Sequence, residues 1–204
     1  DEQTHYQILV ASSLELLNEN VGDLWDSGKV KSSEQIAINY NGKKLKSGDV
    51  AYWKVKTWTL KEGEQTWSKT AHFSVGLLNS SDWQGQFISF NPMGVRNIQS
   101  PLFWKRFNIN ETNKKYLLHV NSLGYHEVHL NGKKIGDAVL QPAVSQTDKR
   151  SLICTYDLTE FIQAGNNDLV LWLSEGWCRT DGTNRLCPYP TFRAQIQGID
   201  STGK

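Results

Sequence analysis

Short segments in which apolar and polar positions alternate, rich in Val, Ile, Tyr, Trp and Thr and separated by turn formers, recur along the whole chain. This period-2 pattern predicts strands, and helical character is confined to one stretch, so the chain reads as all-β. In the first part, Tyr6 to Ala11 is a predicted strand, followed by a polar loop through Asn18, Asn20, Gly22 and Asp23. A strand from Gln35 to Tyr40 runs into Asn41-Gly42, a pair suited to a two-residue hairpin turn. After Ser47-Gly48-Asp49 comes Ala51 to Trp58, where Trp53, Val55 and Thr57 share one face and Lys54, Lys56 and Trp58 the other, so that one face is available for a core. Lys69 to Val75 closes this part before Leu77-Leu78-Asn79.

All five prolines lie at or beyond Pro92, and this shift in composition puts a domain boundary near residue 79. Beyond it the predicted strands are Pro101 to Asn108, Lys115 to Ser122, Tyr125 to Leu130, Lys133 to Ile135, Ser151 to Tyr156, Asp168 to Ser174 and Thr191 to Ile199. Asn131-Gly132 is a second hairpin signal. Asp157 to Gln163, ended by Gly165, is the helical stretch, one or two turns capped by Asp157 or Thr159. Some eight strands with one short helix suggest a jelly-roll β-sandwich for residues 79–204, after a smaller domain over residues 1–78.

With 204 residues the chain has room for one large domain or two small ones. Twenty-two Lys and Arg against 21 Asp and Glu, with no run of like charge, exclude nucleic-acid binding by bulk electrostatics. No apolar run approaches the roughly 20 residues that span a bilayer, so no membrane segment is expected. The first residues, DEQTHYQILV, lack an initiating Met and a signal-peptide pattern, and read as a mature or excised piece. Among three cysteines, Cys178 and Cys187 could pair in an oxidising compartment or stand as two buried thiols, and both readings stay open.

Little in the sequence points to catalysis. Glu175, Asp181, Asp137 and Glu127 are candidate carboxylates for glycoside hydrolysis, but acids are no more frequent here than on an ordinary surface. His126 and His129 differ in strand parity and so point to opposite faces, which argues against a shared metal with His119. GxSxG, HExxH, P-loop and GxGxxG motifs are absent, and Cys178 beside Arg179 has no recognisable His partner. The richest segment is Gly176 to Arg185, a loop at a sandwich edge where Trp177 could stack on a sugar ring and Arg179 and Asp181 could orient its hydroxyls. The alternative is that Trp177 plugs the sandwich and Arg179 pairs with an acid. Asn131 and Asp137 are candidate oxygen ligands for Ca2+, without any EF-hand spacing.

Several stretches in order resemble one family. Tyr6 to Ser12 followed by Gly22 to Val30, then Tyr52 to Lys56 with Trp58, Trp67-Ser68 and Phe73, are similar to the fibronectin type III-like module that opens bacterial α-L-rhamnosidases. Ser100 to Phe103, Leu123 to Asp137, Leu140-Gln141-Pro142, Thr155 to Thr159 and Gly176-Trp177 resemble the β-sandwich module of the same region. Two positions depart from the pattern: Cys178 replaces an aromatic residue, and Pro142-Ala143 stands for the usual Pro-Gly. The resemblance implies two β-sandwich modules in a secreted or periplasmic parent, whose hydrolysis of L-rhamnosides belongs to a downstream (α/α)6 barrel, so that no catalytic residue falls within this chain. The barrel is then the expected partner, and the sandwich lends a loop to its pocket rim. This supporting role predicts exposed apolar surface. Some members bind rhamnose through the sandwich with Ca2+, which keeps Trp177, Arg179, Asp181, Asn131 and Asp137 as candidate contacts to an L-rhamnose-containing glycan. An adhesin or receptor ectodomain is the remaining alternative for tandem sandwiches.

Overall fold

A computed structural model of the chain describes residues 1–90, 100–112, 114–146, 149–176 and 189–199. The chain divides into two compact units, Asp1–Val75 and Gly76–Lys204, and regular structure in both is almost entirely antiparallel β. Among the described residues no helix is long and apolar enough to cross a membrane.

The first unit contains β1 (Gln3–Ala11), the short helix α1 (Leu14–Asn18), β2 (Trp25–Asp26), β3 (Val30–Lys31), β4 (Val50–Thr59), β5 (Gly63–Glu64) and β6 (Ala71–Ser74). All six strands form one sheet: β1 and β4 pair along their lengths, β2 and β3 add to the free edge of β1, and β5 and β6 to that of β4. Leu9, Ala11 and Leu17 are buried together against Leu16, Tyr52 and Trp67. Leu9 stands opposite Lys54 and Ala11 opposite Tyr52, so of the two faces of β4 the core lies on the one that carries Lys54. Lys54 is buried and Trp53 partly exposed. The ammonium is tolerated because it donates to the Leu17 carbonyl and to Asn20 Oδ1 at 2.8 Å, and lies 5.2 Å from the centre of the Trp67 ring. Burial, and secondarily Lys56, holds its pKa below the usual lysine range.

Two expectations fail in this unit. Helix α1 falls where a polar loop is predicted; Ser13 caps it, its side chain accepting from the Leu16 N–H at 3.3 Å, and Leu17 is driven into the core. The strand and hairpin over Gln35 to Gly42 do not form, and Ile36 is 84% exposed. Gly42 instead allows a close approach: a Cβ there would collide with the Leu24 carbonyl and the Trp25 side chain. Tyr40 packs edge-on to Trp25 and donates to the Lys43 carbonyl at 2.8 Å.

The second unit contains β7 (Ile88–Ser89), β8 (Leu102–Ile109), β9 (Lys115–Leu123), β10 (Tyr125–Leu130), β11 (Lys133–Lys134), β12 (Ile153–Asp157), β13 (Gly165–Ser174) and β14 (Thr191–Ile199). They build two four-stranded sheets, ordered β11-β10-β13-β8 and β12-β9-β14-β7. Between the sheets lies one core, to which Leu118 and Val120, Val128 and Leu130, Leu169, Leu171 and Leu173, and Phe192 contribute. This is the layered arrangement that alternating strands require. The outer face of the β12-β9-β14 sheet is covered by the chain itself. Trp83 and Phe87 lie over the Arg193 guanidinium at 4.1 and 4.7 Å, and the Gln84 N–H donates to Gln195 Oε1 at 2.6 Å. The helical expectation at Asp157 to Gln163 reduces to one turn, closed by the Phe161 and Ile162 N–H groups on the Leu158 carbonyl. Asp157 Oδ1 accepts from the Thr159 N–H at 3.0 Å, which caps that turn.

Candidate functional site

Strand β13 alternates strictly, with Leu169, Leu171 and Leu173 buried and Val170 and Trp172 on the other side. The Leu169 to Leu173 run looks wholly buried in the sequence, but Trp172 is 49% exposed. Register places Trp172 between Leu102 of β8 and Glu127 of β10, and Val170 between Trp104 and His129. Leu102 is 58% and Trp104 59% exposed, so the outer face of this sheet carries two indoles diagonally across one strand pair, with apolar neighbours.

The polar side chains bordering that patch are paired with one another. Arg106 holds Asp168 through both carboxylate oxygens, at 2.8 and 2.9 Å, and Trp104 Nε1 donates to Asp168 Oδ1 at 3.1 Å. The Arg106 hydrogen bond holds the Asp168 carboxyl below its ordinary range. Across the sheet, Lys134 donates to Glu127 at 2.6 Å, and His129 Nε2 lies 3.6 Å from the same carboxylate. The Lys134 contact likewise lowers the Glu127 pKa.

The residues singled out from sequence fall elsewhere. Trp177, Arg179 and Asp181, like Cys178 and Cys187, lie outside the described residues. Asn131 occupies the β10–β11 hairpin, where φ values of +51° and +78° at Asn131 and Gly132 give the two-residue turn predicted for this pair. Its amide is engaged within the fold: Oδ1 accepts from the Asp168 N–H at 2.9 Å, and Nδ2 donates to the Phe161 carbonyl at 3.1 Å and to Asn167 Oδ1 at 2.9 Å. Asp137 is exposed just beyond β11, and Asn131 bonds to Phe161, Asn167 and Asp168 rather than to it. No group of three or more His, Cys, Asp or Glu among the described residues is placed to hold a metal ion.

His126 and His129 do face opposite ways, His126 inward with Val128 and Leu130. His126 Nδ1 lies 2.7 Å from Ser122 Oγ and Nε2 lies 2.8 Å from Tyr156 Oη. Ser122 gives its single proton to the Gly124 carbonyl at 2.9 Å, so Nδ1 must be the protonated nitrogen and Nε2 the acceptor from Tyr156. Burial pushes the His126 pKa down to about 4 and that of the Tyr156 phenol upward. A Ser beside a His invites comparison with a nucleophile and its base, but both side chains are sealed in the sandwich and the serine proton points away from the imidazole. Elsewhere in the unit a cleft of about 450 Å3 opens between the sheets. It is lined mainly by core side chains such as Phe103, Phe107 and Phe192, with Gln86, Lys105 and Gln195 supplying polar groups.

Comparison with known proteins gives these units a family. Residues 1–79 match the family described as "Rha78A-like, N-terminal immunoglobulin domain", and residues 111–199 match "Alpha-L-rhamnosidase N-terminal domain". An α-L-rhamnosidase of Formosa agariphila is 36% identical, the match covering 86% of this chain and 21% of that protein. One of an Alteromonas species is 33% identical, over 86% of this chain and 20% of that protein. The chain thus spans about a fifth of the length of the curated relatives it matches. An α-L-rhamnosidase structure from Dictyoglumus thermophilum superposes on the whole chain with a TM-score of 0.81 at 34% identity, using 24% of that structure. One from Aspergillus terreus, at 22% identity and a TM-score of 0.79, shares the fold. Immunoglobulin and fibronectin type III domains share the sandwich architecture, so the first match agrees with the fold class expected from sequence. The chain is built from the immunoglobulin-like and β-sandwich domains that stand at the N-terminus of α-L-rhamnosidases.

Proposed function

We propose that this chain is the non-catalytic N-terminal part of an α-L-rhamnosidase, and that it supports a catalytic (α/α)6 barrel of the same polypeptide and the rim of its pocket. The parent would act outside the cytoplasm, secreted or periplasmic, releasing terminal L-rhamnose from a glycan. The observation that carries this reading is the pair of domain matches, both to N-terminal domains, in a chain spanning about a fifth of its relatives. Exposed indoles on the outer face of the β11-β10-β13-β8 sheet agree with it. Deletion of residues 1–204 from the full gene product tests the reading. Loss of folded, active hydrolase is expected, and undiminished activity and thermal stability of the remainder would overturn the supporting role.

A second reading has one observation in its favour, because Trp104 and Trp172 are exposed indoles, a side chain on which sugars stack. In it the second unit is a jelly-roll, carbohydrate-binding module that takes rhamnose weakly, with or without Ca2+, and raises local substrate concentration for the tethered hydrolase. Titration calorimetry with L-rhamnose, run with and without Ca2+, separates the two. No heat at millimolar sugar is expected from the supporting role.

A further inference from the structure

The two outer faces of the second unit differ in a way that the strand pattern alone does not explain. On the β12-β9-β14 sheet the chain lays its own residues 76–87 across the strands, and Trp83 and Phe87 close over Arg193. On the β10-β13-β8 sheet, Trp104 and Trp172 stand in solvent beside Leu102, and the two rings leave on the order of 250 Å2 of aromatic surface uncovered. With the exposed side chain of Leu102 the patch reaches a few hundred Å2, the range in which the largest apolar patch on a folded protein is often functional.

The polar chemistry around the patch favours protein over saccharide as its occupant. A sugar site needs directed donors and acceptors that are free to meet hydroxyls. Here Asp168 is taken by Arg106 and by the Trp104 N–H, and Glu127 is taken by Lys134. What remains is an apolar surface bordered by the Arg106–Asp168 and Lys134–Glu127 pairs, which resembles the centre and rim of an interface between protein domains. In its relatives, roughly four fifths of the polypeptide lies outside the part this chain matches, so the nearest protein available to cover such a face is covalently attached to it.

Resting on the supporting role proposed above, we infer that the Trp104 and Trp172 face of the β10-β13-β8 sheet is the seat of the catalytic region of the same polypeptide. The two indoles act as anchors, and the Arg106–Asp168 and Lys134–Glu127 pairs form the border of the contact.

Hydroxyl-radical footprinting read by mass spectrometry tests this, comparing the 204-residue chain with the full gene product. Trp104 and Trp172 should be oxidised readily in the short chain and lose most of that reactivity in the longer one. The W104S/W172S double variant of the longer polypeptide should show the rest of that face newly reactive, Val170 included. Equal indole reactivity in the two lengths overturns the inference. Two other results do so as well: protection of the short chain by millimolar L-rhamnose, which makes the face a sugar site, and protection that rises with short-chain concentration, which makes it a self-association surface. A longer polypeptide that releases rhamnose yet leaves both indoles reactive refutes the seat and spares the hydrolase reading. Protection without rhamnose release does the reverse.

Discussion

Lowering the pH from 7 to 4 should cost the second unit about 3 kcal/mol through one residue, His126. The ring is buried between Ser122 and Tyr156, with Nε2 accepting a hydrogen bond, so the folded state admits its second proton only near pH 4, against an ordinary value of 6.5. That gap, at about 1.4 kcal/mol for each pH unit, is worth about 3.5 kcal/mol in full, of which about 3 kcal/mol is lost between pH 7 and pH 4, where the folded-state ring is half protonated. The folded pKa lies below the unfolded one, so the unfolded chain takes up the proton first. The contribution is therefore complete above pH 6.5 and is lost progressively as the pH falls toward 4. Urea unfolding, followed by amide exchange of peptides spanning residues 115–130, should be run on the wild type and on His126→Gln across this range. His119, also pushed down by burial, steepens both profiles alike and cancels in their difference. The wild type should lose about 3 kcal/mol more than the variant between pH 7 and 4. Parallel profiles would refute the reasoning, as would a His126 ring resonance that titrates near pH 6.5.

Three other substitutions probe the framework. Asn131→Ala removes the hydrogen bonds to Phe161, Asn167 and Asp168 and with them the local polar contacts that let asparagine sit at φ +51°, and should lower stability by about 2 to 4 kcal/mol in urea unfolding. Asn131→Gly loses the same hydrogen bonds but takes φ +51° without strain, and should cost less. Lys54→Met removes the ammonium's hydrogen bonds to the Leu17 carbonyl, which keeps the Asn20 N–H, and to Asn20 Oδ1, and should destabilise the first unit by about 1 to 3 kcal/mol, read from exchange of the β1 amides. Gly124→Ala, at φ +105° and with its new carbon forced against the Ser174 carbonyl, should cost more than about 2 kcal/mol. An unchanged melting temperature would contradict that geometry.

The longer strands were legible because their hydrophobic period survives tertiary contact. β1, β4, β9, β10, β13 and β14 all fall on predicted segments, and Asn131-Gly132 makes the turn its chemistry demands. The first unit was less legible, since its core is small and side chains outside the hydrophobic class complete it. Lys54 is buried by its aliphatic stem and by a partner that belongs to α1, and α1 itself rests on a five-residue helix whose cap, Ser13, looks like any loop serine. Asn41-Gly42 carries a hairpin signature, but the small residue serves close approach to Leu24 and Trp25. The aromatic face could have been found by counting parity. Trp172 is out of phase with Leu169, Leu171 and Leu173, and Trp104 with Phe103 and Phe107. A run of apolar letters hides the alternation, because exposed tryptophan and buried leucine look alike until a partner strand fixes the face.

The central claim is that these residues carry no hydrolytic chemistry of their own and serve a catalytic region elsewhere in the polypeptide. Release of p-nitrophenol from p-nitrophenyl α-L-rhamnoside tests it most directly, with the purified 204-residue chain and the full gene product assayed side by side at equal molarity. The account predicts turnover by the longer protein and a rate indistinguishable from buffer for the shorter one. Turnover by the 204-residue chain, retained through repurification, would contradict it.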